Sequence, residues 1–313
     1  MREREFIARL LTPLATHKAA RGLADDAAVW LPPLGRELVF THDVLAAGVH
    51  YRPDDPPSDV AWKLLAVNLS DLAAMGATPS GVLMGLALGP AQDEAWLAAF
   101  TDGLKRVLDL WNVALWGGDT VRVPGEAVLG LTAIGTVAPG RALGRGGARA
   151  GDELWVSGTI GDAGLGLAVA QGRMAPDKTL LTRYRRPEPR LALGRALVGV
   201  ATACMDVSDG LLIDAGRLAA ASGVGVEIEL ATVPVSDAAA ARIERDDAGL
   251  LGLATAGDDY ELLFAVPPGS DIAALATPKV RLTRVGQFVD GQGLAVIGLS
   301  GAKIVPERLG WEH

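Results

Sequence analysis

The sequence predicts a two-domain α/β protein, on three observations. The chain has 313 residues, half of them apolar and 21% charged, enough to fill two cores of ordinary domain size, about 150 residues each. Stretches of two-residue period alternate with stretches of three-to-four-residue period, as strands and helices do in α/β chains. Between the halves lies APGRALGRGGARAG, Ala138 to Gly151, rich in Gly and Arg and without either period. The domain boundary is expected there, giving an N-terminal domain over 1–138 and a C-terminal domain over 139–313.

Taken in order, ELVFTHD at Glu37 to Asp43 predicts a short strand that ends in polar residues, leaving Asp43 at a strand end. From Ser58 to Met75, the residues Trp62, Leu65, Leu69, Leu72 and Met75 keep a helical spacing, and Ser58 is suited to cap the start. Asn68 and Asp71 then share a helix face. A strand at Val82–Leu88, a helix from about Asp93 to Leu110, and strands at Val113–Trp116 and Ala127–Val137 complete this half. The second half predicts a strand at Glu153–Ser157, a turn in GTIGDAG, a helix through about Gln171 and another near Leu191–Val200. A strand at Cys204–Val207, a helix at Leu211–Ala221 and strands at Val226–Leu230, Phe264–Val266 and Val285–Val289 follow.

The net charge of −8 argues against a basic surface for nucleic acid or anionic lipid, so a bound phosphate calls for metal. The single cysteine, Cys204, excludes a disulfide framework and cysteine zinc sites, and suggests a buried thiol in a reducing cytoplasm. No apolar stretch approaches the roughly 20 residues that span a bilayer, and neither export nor membrane insertion is expected. Phosphate-binding P-loop, Rossmann, zinc-protease and nucleophile-elbow motifs are all missing from the sequence. His17, His42, His50 and His313 lack zinc-ligand spacing.

Acidic residues cluster in turn-like settings: Asp25-Asp26, Asp43, Asp71, Asp119 in GGDT, Asp206 and Asp209 in MDVSDG, and Asp258-Asp259 in AGDD. Any one of them reads first as a turn or helix cap. Their recurrence favours oxygen ligands for hard divalent ions holding a polyphosphate. GTIGDAG serves equally well as an anion-binding helix start or as a tight turn.

THDVLAAGVHY from Thr41, WKLLAVNLSDLAAMGATP from Trp62, GGDTVR from Gly117, VSGTIGDAGLGLAV, MDVSDGLLIDAGRL and AGDDYELLF occur in the order seen in thiamine-monophosphate kinases. From about Phe6 to Trp311 the chain resembles that family, part of a superfamily of ATP-using enzymes related to aminoimidazole ribonucleotide synthetase. The resemblance implies direct, Mg²⁺-assisted transfer from ATP to thiamine phosphate, with several ions. It assigns Asp26, Thr41, His42, Asp43, Asp71, Asp119, Asp206 and Asp209 to metal, Gly118, Asp119, Arg145 and Ser208 to ATP, and His50, Asp258 and Trp311 to thiamine phosphate. The acceptor phosphate is already ionised, so no side chain is implied as acid, base or nucleophile. A homodimer is implied as well, with N-terminal strands of two subunits forming a shared β-barrel.

Three residues depart from the family pattern. Ala24 replaces a glycine before the paired aspartates, so that loop is expected to be shaped differently. His42 replaces a hydroxyl residue, leaving its main-chain carbonyl for metal, and Asp258 is one methylene shorter than the usual glutamate, favouring a water-mediated contact. The alternatives are a ligase like aminoimidazole ribonucleotide synthetase and a nucleotide sensor of the same fold. A sensor predicts lost metal carboxylates, yet all six are present. Selenophosphate synthetase and the hydrogenase-maturation dehydratase call for terminal reactive cysteines, which Cys204 does not supply.

Overall fold

A computed structural model describes residues 3–277 and 280–312. The chain divides into two compact units: the first runs to Leu72 and resumes from Ala77 to Gly140, and the second takes Ala73–Gly76 and the chain from Arg141. Both are mixed α/β.

In the first unit, α1 (Glu3–Phe6) leads through single turns of π and 3-10 helix to β1 (Glu37–Ala46), α2 (Pro57–Ala74), β2 (Thr78–Leu88), α3 (Glu94–Trp111), β3 (Ala114–Arg122) and β4 (Val128–Val137). The strands form one sheet in the order β1-β4-β2-β3. Only β2 and β3 run parallel, and α3 is the crossover that parallel pairing requires. Asp93 caps α3 by accepting the Trp96 N–H at 2.8 Å, and Asn112 ends it in the left-handed conformation. Helix α2 is buried on nearly all sides, with Leu64, Leu65, Leu69 and Leu72 fully buried, as befits a core helix.

Three expectations change here. Helix α2 starts at Pro57, which places Ser58 inside the first turn instead of at the cap. Strand β1 continues past Asp43 to Ala46, because its pairing with β4 is unbroken and Leu45 is buried beyond it, so Asp43 lies within the strand. Strand β3 runs through Gly117-Gly118-Asp119 instead of turning there. At Gly118 (φ +156) a Cβ would collide with the Met84 carbonyl, so only glycine lets β3 pass this close to β2.

The second unit contains β5 (Glu153–Ser157), α4 (Asp162–Ala170), α5 (Lys178–Arg185), α6 (Leu191–Leu197), β6 (Ala203–Asp206), α7 (Leu211–Ser222), β7 (Gly225–Glu229), α8 (Asp237–Ala240), α9 (Asp247–Ala254), β8 (Leu262–Val266), β9 (Leu282–Val289), β10 (Gly293–Ile297) and β11 (Lys303–Ile304). Its sheet has the order β11-β10-β7-β9-β5-β8-β6. The inward face of α7, with Leu211, Leu212, Ala215 and Leu218, packs with Met205, Val226, Leu263 and Phe288 from the strands. Cys204 is buried in β6, and burial raises its thiol. Among the described residues, no helix is long and apolar enough to cross a membrane.

Candidate functional site

In the first unit, strand alternation turns Thr41 and Asp43 of β1 to one face, where α2 lies. The Thr41 hydroxyl donates to Asp71 Oδ2. The Asp43 N–H donates to Asn68 Oδ1 at 3.0 Å, and Asn68, fully buried, gives its amide N–H to the Leu64 carbonyl at 3.0 Å. Two β1 residues two apart thus meet two α2 residues three apart. The same alternation turns His42 to the other face, where Nδ1 lies 2.9 Å from Thr132 Oγ1. Asp119 pairs with Gly85, Gly85 with Gly130, and Gly130 with Val44, which places Asp119 on the His42 face.

Beside β3, a cavity of about 420 Å³ is lined by Asp25, Asp26, Met84, Trp116, Gly118 and Asp119, among others. Ala24 has φ −100, an unstrained value, and the left-handed residues lie earlier, at Arg21, Gly22 and Leu23. The missing glycine therefore costs this loop nothing at position 24. Arg21 pairs with Asp25, and Asp26 is exposed.

His50 follows β1 in a tight turn. Its Nδ1 accepts the Ala46 N–H at 3.1 Å, so Nε2 carries the ring proton. The His50 carbonyl takes Lys63 Nζ at 2.8 Å, and Lys63 is buried within α2.

In the second unit the structure gathers four of the expected residues around one loop, Val207 to Gly210. The Ser208 carbonyl accepts the Asp258 N–H at 2.7 Å, and the Asp209 carbonyl accepts the Trp311 N–H at 2.9 Å. Asp258 (φ 64) and Tyr260 (φ 51) are left-handed, which costs about 1 kcal/mol or more each for side-chain-bearing residues. Their neighbours anchor the turn. Both oxygens of Asp259 accept the Gly161 N–H, at 2.9 and 3.0 Å. Glu261 accepts Ser157 Oγ, Arg183 Nη2 and Arg190 Nε at 2.6 Å each and Arg190 Nη2 at 2.5 Å.

Electrostatics follow from burial. Burial pushes the Asp259 carboxyl well above its ordinary range, and the Gly161 N–H only partly offsets this. Burial would raise Glu261 too, but the bonds and charges of Arg190 and Arg183 outweigh it and hold the carboxyl below its ordinary value. Asp214, buried in α7, is pushed up by burial to about 6. Asp214 Oδ2 accepts the N–H groups of Asp209 and Gly210, while Arg217 bridges Asp214 and Asp209.

Asp206 ends β6 and is buried; Arg145 is exposed, with its carbonyl accepting Ser222 Oγ at 3.1 Å. His313 lies outside the described residues. Among the described residues, no three His, Cys, Asp or Glu side chains close on a common metal position. Sequence reasoning missed Lys63, Asp214, Arg217, Asp259 as an anchor, and the Glu261 cluster. The helical spacing of Asp214 and Arg217 was the one available signal.

Two family models match the chain: the N-terminal domain of AIR synthase related proteins over residues 24–137 and the C-terminal domain over 149–298. A curated thiamine-monophosphate kinase of Caulobacter vibrioides is 41% identical across 99% of this chain and 90% of its own length. The crystal structure of thiamine-monophosphate kinase from Stenotrophomonas maltophilia superposes with a TM-score of 0.84 at 39% identity, covering 95% of this chain and 97% of that one. AaThiL complexed with AMPPCP and TMP gives 0.79 at 30% identity, over 100% and 99% of the two chains. With relatedness of this extent across both α/β units, the chain belongs to the thiamine-monophosphate kinase family, within the AIR synthase related proteins.

Proposed function

We propose that this chain uses ATP to phosphorylate thiamine phosphate, giving thiamine diphosphate and ADP by direct transfer. The observation that carries this reading is the Val207–Gly210 loop, whose adjacent carbonyls seat the acceptor-side residues Asp258 and Trp311 beside the nucleotide-side residue Ser208. Its chemistry is positioning: the acceptor oxygen is already anionic and needs orientation more than a base. Ser208, Gly118 and the exposed Arg145 are assigned to the nucleotide, Arg145 because a guanidinium grips phosphate oxygens through paired donors. His50 presents its Nε2–H as a donor, and Asp258 and Trp311 hold the thiamine portion.

The donors suit a hard divalent ion such as Mg²⁺: they are oxygens throughout, and the Thr41 hydroxyl already meets the Asp71 carboxylate. Thr41, Asp43 and Asp71 are assigned to one ion, Asp26 and Asp119 to the cavity beside β3, and Asp206 and Asp209 to the second unit. His42 is left with its main-chain carbonyl alone. Bound divalent ions would offset the repulsion between two anionic reactants.

A homodimer is proposed from the outer face of the first sheet, where Leu38, Phe40, Val44, Leu83 and Val128 are exposed and Phe40 is 62% accessible. The cytoplasm is proposed as the compartment, in keeping with the buried free thiol of Cys204.

Purified protein incubated with MgATP is expected to convert thiamine phosphate and to leave free thiamine untouched, since loss of the phosphate removes the charged handle. Robust formation of thiamine phosphate from thiamine would overturn the reading. Trp311 is 53% exposed although its main-chain N–H is tied to the Asp209 carbonyl. Trp311→Ala keeps that main-chain bond and removes a stacking face worth roughly 0.5–2 kcal/mol against a cationic ring. The KM for thiamine phosphate is expected to rise several-fold to some tens-fold, with the KM for ATP and the melting temperature scarcely changed; equal effects on both substrates would mark Trp311 as a mere pin for the chain end.

A further inference from the structure

The polar groups of the Ser208–Gly210 main chain are bound from three directions. The Asp209 and Gly210 N–H groups both donate to Asp214 Oδ2, at 3.0 and 3.1 Å. The Ser208 and Asp209 carbonyls accept from Asp258 and Trp311. Asp214 has no exposed surface, so it reaches no ligand, and a buried carboxylate is costly wherever an apolar residue would pack. Its other oxygen takes Arg217 Nη1 at 2.9 Å, and the same nitrogen reaches Asp209. Asp214 therefore grips the loop at its N–H groups while the acceptor-side residues are hung on its carbonyls.

We propose that Asp214 is a positioning residue that turns this loop into a shared mount, so that Ser208, Asp258 and Trp311 move together and the binding of nucleotide and of thiamine phosphate is energetically coupled. The inference rests on the functional reading above. A ligand that orders the loop from the Ser208 side leaves Asp258 and Trp311 already placed for the second ligand, which then binds with less ordering to do. The coupling is reciprocal by linkage: each ligand tightens the other by the same factor.

The test uses the full chain, a non-hydrolysable ATP analogue and thiamine phosphate. Calorimetry on the unaltered protein is expected to show each ligand tightening the other at least about fivefold, the lower end of ordinary coupling. Asp214→Asn keeps the size but cannot serve both the loop N–H groups and Arg217, and it is expected to bring the coupling below about twofold while both ligands still bind. A residue that only stabilises the fold would change the melting temperature or weaken both affinities and leave the factor by which each ligand tightens the other intact; that result would overturn the proposal.

A second measurement needs no variant. The amide hydrogens of Asp258 and Trp311 are expected to exchange more slowly when the ATP analogue alone is added. Binding of the analogue without added protection at 258 and 311 overturns the coupling but not the function. Failure of the analogue to bind at all overturns the functional reading, and the coupling with it.

Discussion

Asp71→Asn is expected to lower turnover of thiamine phosphate by at least about 100-fold at saturating ATP, the scale of losing one group that stabilises charge during transfer. The amide oxygen of asparagine still accepts the Thr41 hydroxyl that Asp71 holds, so the junction between β1 and α2 stays closed and unfolding should shift by less than about 1 kcal/mol. What disappears is the negative charge proposed to draw a divalent ion. Asp43→Asn is the companion change, because the bond from Asp43 to Asn68 runs through its main-chain N–H and survives any side chain. Steady-state rates across a Mg²⁺ titration, with denaturant melts alongside, separate charge from architecture. Near-normal Mg²⁺-dependent turnover in both variants would refute the metal assignment.

The largest loss of stability is expected from Glu261→Gln. Glu261 is fully buried and sits against the guanidinium of Arg190, itself buried, and that of Arg183, whose side chain is 20% exposed. Removing the carboxylate charge takes the shared buried counter-ion from both cations, leaving Arg190 only Glu188 at 3.0 Å, whose side chain is exposed, and Arg183 only Asp162 at 3.8 Å; breaking a buried pair in this way costs about 3–5 kcal/mol. Denaturant unfolding of the second unit should show that loss, together with slackening of the Asp258 turn seen as a raised KM for thiamine phosphate. Adding Arg190→Met to Glu261→Gln should cost less than the two changes summed, because the second removes a charge that the first had stranded. A loss below about 1 kcal/mol for Glu261→Gln would show that the charges are not coupled as drawn.

Helix α2 was legible because Trp62, Leu65, Leu69 and Leu72 repeat at helical spacing, and Asn68 and Asp71 do face β1 together. Family membership was legible from motifs carried in order along both halves. The end of strand β1 is hidden in the sequence, because the polar run Thr41-His42-Asp43 reads as a strand end although pairing with β4 continues to Ala46. A strand with Thr41 and Asp43 on one side and Phe40 and Val44 on the other looks as if its apolar side must be the buried one, yet Phe40 and Val44 are exposed in the chain. Strand β3 was cut short because Gly117-Gly118 reads as a turn, and the need for close passage past Met84 is visible only in three dimensions. Helices α5 and α9 escaped notice: the first is largely polar and the second is a short apolar run without a clear stripe. Glu261, Arg183 and Arg190 look like surface charges in sequence, since the contacts that bury them span 71 and 78 residues.

The same cluster constrains how this part of the chain can change over generations. Ser157, Arg183, Arg190 and Glu261 come from separate stretches of the chain, yet each binds a charge or donor that another presents. A single exchange at any of them passes through a poorly folded intermediate, whereas replacing the set with well-packed apolar residues need not be harmful in itself. The four positions are thus expected to be inherited as one character: lineages should keep them together or exchange them together, and the turn that carries Asp258 should travel with them.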